Sequence, residues 1–129
     1  MSGVYLDASA LAKVILIEAD SAALRAFLSR HPIRFTNRVA QVEVARAVAR
    51  LRAEAAPVDD AFEKVEVLEL TESLAISAGS IGPGGLRSLD AIHLASALSL
   101  GSEVEAFVTY DLKQADAARA AGLHVVSPQ

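Results

Sequence analysis

Three layers, with helices on both faces of a mostly parallel central sheet, are the α/β/α architecture this sequence predicts. Two observations carry that reading. Short apolar runs alternate with longer segments of helical period, and acidic residues directly follow two of those runs. Parallel strands need crossover connections, and a helix is the usual one. The 129 residues fit a single domain over 1–129, with no internal repeat and no linker long enough to divide it.

The elements follow in order. "GVYLD" (3–7) reads as a strand ending in Asp7, and "ASALAKVILIE" (8–18) as the helix after it. A second helix, "SAALRAFLSRH" (21–31), is stopped by Pro32, and "IRFT" (33–36) is the next strand. From Arg38 to Ala53 apolar residues and arginines alternate with a period near 3.6, the mark of a long amphipathic helix. "APVDDAFEK" (56–64) is a polar connector with a helical turn after Pro57, and "VEVLEL" (65–70) a half-exposed strand. Thr71 caps a helix over 72–81, and "GPGG" (82–85) is a turn. "LRSLDAIHLASAL" (86–98) is a helix apolar on nearly every face, with Ser88 as its cap. "AFVTYD" (106–111) is a strand ending in an acid, "LKQADAARAAG" (112–122) a helix closed by Gly122, and "LHVVSP" (123–128) the last strand.

Composition removes several kinds of chemistry. The chain has no cysteine, which excludes thiolate catalysis, disulfides and thiolate zinc sites and suits a reducing cytoplasm. The first residues show no leader pattern, and the apolar run after them is broken by Lys13 and Glu18, so a soluble cytoplasmic protein without membrane attachment is expected. The net charge of −4 argues against a surface that grips nucleic acid by bulk positive potential. Its distribution says something different: Arg25, Arg30, Arg34, Arg38, Arg46, Arg50 and Arg52 crowd one stretch whose only acid is Glu43.

Four carboxylates stand out, each with an ordinary explanation. Asp7 and Asp111 turn strand into helix and would serve as N-caps, while Asp90 lies in a helix's first turn, where the dipole favours an anion. Glu43 sits in a helix interior, where its ordinary role is an i,i+3 pair with Arg46. Together they read otherwise. Three aspartates at helix starts can converge on one edge of a parallel sheet, where ligands of such folds bind, and Glu43 can reach the same edge. Gathered carboxylates repel unless cations intervene, and oxygen ligands without His or Cys point to Mg²⁺ or Mn²⁺. His31, His93 and His124 lack ligand spacing and read as packing or surface residues. Ser9 and Thr109, each two residues from a cluster aspartate, are candidates to support it.

The segments "VYLDASALAKV", "VEVARA", "LRSLDAIHLASAL" and "FVTYDLKQADAARAAGLHVVSP" together resemble the PIN domain, and within it the VapC-type ribonuclease toxins of bacterial toxin–antitoxin pairs. The third segment is the most specific. The resemblance runs nearly end to end, with a shorter connector at "EAAPVDDAFEK" (54–64) than the family pattern has. It implies an acidic site of Asp7, Glu43, Asp90 and Asp111, with Asp116 as a possible fifth acid, and Mg²⁺-dependent endonucleolytic cleavage of RNA. Metal would be held chiefly by Asp7 and Asp90, with Asp111 directly or through water, and Glu43 would orient the attacking water or help a second metal. Arg38, Arg46 and Arg50 would track RNA phosphates. A co-encoded antitoxin and a homodimer would complete the picture.

Other readings compete. A receiver-like phosphoacceptor domain shares the architecture, but would show a paired acid early and a lysine near the last strand, and neither is present. A D-x-D phosphotransferase needs a second aspartate that "DASA" lacks. A catalytically silent PIN-like scaffold is the non-enzymatic alternative, disfavoured by the presence of all four acids.

Overall fold

The computed structural model describes residues 2–51 and 58–129. Its elements are β1 (Gly3–Leu6), α1 (Ala8–Ile15), α2 (Ser21–Ser29), β2 (Arg34–Asn37), α3 (Val39–Leu51), α4 (Val58–Phe62), β3 (Glu66–Leu68), α5 (Glu72–Gly79), α6 (Ser88–Ser99), β4 (Val104–Val108), α7 (Leu112–Ala120) and β5 (Val125–Val126). Arg52, Ala53 and residues 54–57 of the connector lie outside the described residues.

Every pairing in the five-stranded sheet is parallel, and the strand order is β3-β2-β1-β4-β5. The chain builds outward from β1 to β2 and β3 on one side, then returns to place β4 and β5 on the other. The switch point therefore lies between β1 and β4, whose carboxyl ends carry Asp7 and, after a short turn, Asp111.

The period of two along the strands separates two cores. Val4, Leu6, Ala106 and Val108 face a layer containing Leu11, Leu24, Leu28, Ala40 and Val44 from α1, α2 and α3. Tyr5, Phe35 and Phe107 face the opposite layer, with Leu94 and Ala97 of α6 and Ala117 and Ala118 of α7. Tyr5 and Phe107 stack with centroids 5.3 Å apart. Burial on both faces explains why β1 reads as a continuous apolar run. Gly3 has a separate reason: a Cβ there would stand 2.4 Å from the Ile33 carbonyl oxygen, so β1 admits no side chain where it begins pairing with β2.

Most expected elements form, with shifted ends. Thr71 caps α5 by accepting from the Leu74 amide, and Gly122, at φ 92°, lies just past α7. Ser88 is not the cap of α6. It is the first helical residue, Arg87 holds the cap position, and no side chain there accepts from the first turn. A 3₁₀ turn over Gly101–Glu103 was not legible in the sequence. β4 ends at Val108, so Thr109, Tyr110 and Asp111 form the turn into α7 rather than the strand.

Candidate active site at the carboxyl edge of the sheet

Asp7 is the innermost acid, 3% exposed. It caps α1: Oδ1 accepts from the Ala10 amide at 3.1 Å and from Ser9 Oγ at 2.6 Å, and Oδ2 accepts from Thr109 Oγ1 at 2.5 Å. Both hydroxyls also accept, Ser9 Oγ from the Tyr110 amide and Thr109 Oγ1 from the Asp111 amide. The two residues singled out for their spacing thus tie the β4–α7 turn to the Asp7 carboxylate. Burial pushes the Asp7 carboxyl above its ordinary range, against the pull of the Ser9 and Thr109 hydroxyls and the field of His93. Among the described residues no cation pairs with it.

Glu43 is positioned through Asn37. The Asn37 side chain accepts from the Val39 amide at the start of α3 and donates to Ser96 Oγ of α6, joining the helices of opposite layers where α3 leaves the sheet. One turn on, Glu43 Oε1 lies 2.7 Å from His93 Nε2, and His93 Nδ1 lies 2.8 Å from the Tyr5 hydroxyl. Burial holds the Tyr5 phenol far above its ordinary range, so it keeps its proton. The buried imidazole thus bridges the Tyr5 phenol and the Glu43 carboxylate, one ring nitrogen to each. The expected pair with Arg46 is replaced by this contact. An exposed i,i+3 pair is worth a few tenths of a kcal/mol, whereas a fully buried imidazole must find a partner for each ring nitrogen.

Asp90 and Asp111 share a different partner. Arg87 Nε donates to Asp90 Oδ2 at 3.0 Å and Arg87 Nη2 to Asp111 Oδ2 at 3.1 Å. Asp111 also caps α7 by accepting from the Gln114 amide, while the buried Gln114 side chain donates to the Asp90 carbonyl, locking α6 against α7. The turn before α6 aims Arg87: Gly82 has φ 75°, which only glycine adopts without strain, and the Leu86 amide closes the turn on the Pro83 carbonyl. Asp90 raises the Arg87 guanidinium pKa further, and Asp111 and Glu43 add to it.

The four acids thus address one edge, but they do not form a ready-made metal cage: among the described residues no group of three or more His, Cys, Asp or Glu stands close enough to hold an ion. The expected convergence is looser than the sequence implied, because neutral hydroxyls surround Asp7 and an arginine separates the outer pair. The donor set still fits a hard divalent cation. All four are oxygen ligands, and among the described residues no cation pairs with the buried Asp7 carboxylate.

Two clefts open here. One, of about 730 Å³, is lined by Ser9, Lys13, Glu43, Arg46, Arg50, Arg87 and Tyr110 with apolar Val42, Leu51 and Leu89. The other, of about 990 Å³, is lined by Arg87, Asp90, Tyr110, Asp111 and Asp116. Arg46 and Arg50 therefore line the same cleft as Glu43. Arg38 stands apart, forked onto Glu69 at 2.8 and 3.0 Å. Asp116 is on the rim, 3.6 Å from Arg119. Sequence reasoning passed over Arg87 and gave His93 only a packing role. Arg87 had a usable signal, its i,i+3 spacing from Asp90; the reach of His93 to Glu43, fifty residues away in sequence, had none.

A family profile described as the PIN domain matches residues 4–120. The chain belongs to the PIN-domain family. Within it, the chain is 38% identical over 130 residues to the ribonuclease VapC46 of Mycobacterium tuberculosis, covering 99% of both chains. It is 36% identical to the ribonuclease VapC47 of the same species, covering 97% of this chain and 96% of that one. Among solved structures it resembles M. tuberculosis VapC20, a toxin that cleaves the sarcin–ricin loop, with a TM-score of 0.75 and 20% identity over 98% of this chain and all of the other. A toxin–antitoxin complex from Klebsiella pneumoniae gives a TM-score of 0.70 at 19% identity, covering 98% of each chain.

Proposed function

We propose that this protein is a Mg²⁺- or Mn²⁺-dependent endoribonuclease, the toxin of a type II toxin–antitoxin pair, acting in the cytoplasm as a single PIN domain. The observation that carries the reading is the similarity to VapC ribonucleases over nearly the whole chain, with Asp7 and Asp111 following the two strands at the sheet's switch point. Asp7, Asp90 and Asp111 are the residues that would hold the ion. When bound, it supplies positive charge that lowers the pKa of a water and neutralises a phosphate oxygen.

The remaining work belongs to the protein. Ser9 and Thr109 orient the Asp7 carboxylate through the hydrogen bonds described above. His93 fixes Glu43 by one oxygen, Oε1, and Oε2 is the atom at which Glu43 accepts a proton from the attacking water. Arg46 and Arg50 hold the RNA backbone beside Glu43, so a locally basic wall offsets the negative charge of the whole chain. An active nuclease needs restraint, and the same cleft fits it. A cation from an antitoxin tail would meet the carboxylates, and the tail's apolar residues would cover Val42, Leu51 and Leu89. A homodimer is the expected assembly.

Purified protein incubated with total RNA tests the reading, with cleavage ends mapped by sequencing. Cleavage is expected with Mg²⁺ or Mn²⁺ and none with EDTA. In cells, the wild type alone is expected to be toxic, Asp7→Ala harmless, and the product of a neighbouring gene protective. A wild type that cuts no RNA with metal and is harmless alone would establish the silent scaffold instead.

A further inference from the structure

We infer that Arg87 is an exchangeable internal counter-ion: it cross-links Asp90 and Asp111 when the site holds no metal, and it must release them for a divalent cation to bind. The inference rests on the metal-binding reading proposed above.

Three observations carry it. The Arg87 guanidinium is forked across the two acids by separate nitrogens, so a single side chain joins α6 to the α7 cap. Arg87 and Glu43 also line the same cleft, so the guanidinium stands between the outer acids and the wall that carries Glu43. Finally, the Arg87 side chain is 74% exposed and lines both clefts, whereas the Asp90 side chain is 13% exposed. The cation is therefore the mobile partner and the anions the anchored ones. Asp111 is held by capping α7, and Asp90 by its place in α6 with its carbonyl bonded to Gln114. A guanidinium can swing into solvent at little cost, because exposed ion pairs are weak and screened.

The exchange has a direct thermodynamic consequence. Any free energy that Arg87 contributes to the metal-free site is lost on metal binding, so removing Arg87 tightens metal binding by that factor. Isothermal titration of Mn²⁺ into wild type, Arg87→Gln, Arg87→Lys and Arg30→Gln measures it; Arg30→Gln makes the same charge change on an exposed residue of α2's end. The expected result is a Kd lower by about three- to tenfold in Arg87→Gln, intermediate in Arg87→Lys, and unchanged in Arg30→Gln. In the wild type, adding Mg²⁺ should move the Arg87 Nε–H resonance and speed its exchange with water. Equal affinities in wild type and Arg87→Gln, weaker binding in Arg87→Gln, or an Arg87 resonance indifferent to Mg²⁺ would each overturn the inference and leave the metal reading standing. Absence of Mn²⁺ binding in every variant would instead overturn the metal reading, and this inference with it. The resonance measurement needs no variant, so poor folding of a substituted protein does not remove the test.

Discussion

The inner and outer halves of the site hold their carboxylates by opposite means. Inside, Asp7 is almost wholly buried and held by two hydroxyls and an amide, all neutral donors. Outside, Asp90 and Asp111 share one exposed arginine. Neutral donors can orient a buried carboxylate without cancelling its charge, and among the described residues no cation pairs with Asp7. The outer half already has a cation, but one that can leave. Three carboxylates in one place would repel, and this division of partners reduces that repulsion in the metal-free protein.

Substituting one acid from each half tests that division most severely. Asp7→Ala and Asp90→Asn should both take RNA cleavage to background, and gel assays with Mg²⁺ measure it. Equal activity in either variant would remove that acid from the site. The next largest effect separates Glu43 from its helical neighbour. Glu43→Gln should lower the cleavage rate by about 10²- to 10⁴-fold, the range for a lost general base. Arg46→Ala should act mainly on KM and reduce the salt dependence of RNA binding, as loss of a phosphate contact does.

Stability separates the halves more finely. Thr109→Val removes one hydroxyl that both donates to Asp7 and accepts from the Asp111 amide, and should cost about 1–3 kcal/mol in urea unfolding. pH gives a second inner-half signature. Because the folded-state pKa of Asp7 is raised, the native state binds its proton more tightly than the unfolded chain. Metal-free stability should therefore fall as pH rises from the ordinary carboxylate range through that raised value. The fall should be absent in Asp7→Asn and smaller with Mg²⁺, measured as melting temperature over pH about 4 to 8. The smallest change belongs outside: Asp90→Asn should shift metal-free stability by no more than about 0.5 kcal/mol, since it weakens one pair to an exposed arginine. A large loss there would mean that Asp90 acts as a structural anchor.

Sequence alone determined a good deal, because much of this fold is local. Apolar runs too short for helices, the 3.6 period of residues 38–51, and the capping chemistry of Asp7, Thr71 and Asp111 are read within a few residues, and the strands and helices follow from them. The contact of Ser9 with Asp7 is equally local, two residues apart, whereas Thr109, chosen for its nearness to Asp111, reaches Asp7 across 102 residues of sequence. Tertiary structure alone decided which partner each acid received. Glu43 met His93 rather than Arg46 because Asn37 ties α3 to α6 and a buried imidazole needs both of its nitrogens satisfied. Arg87 met Asp111 across twenty-four residues of sequence because α6 and α7 start side by side at one sheet edge. Spacing along the chain carries information about caps and periods, but the distance between charges on different helices exists only once the sheet order has placed those helices together.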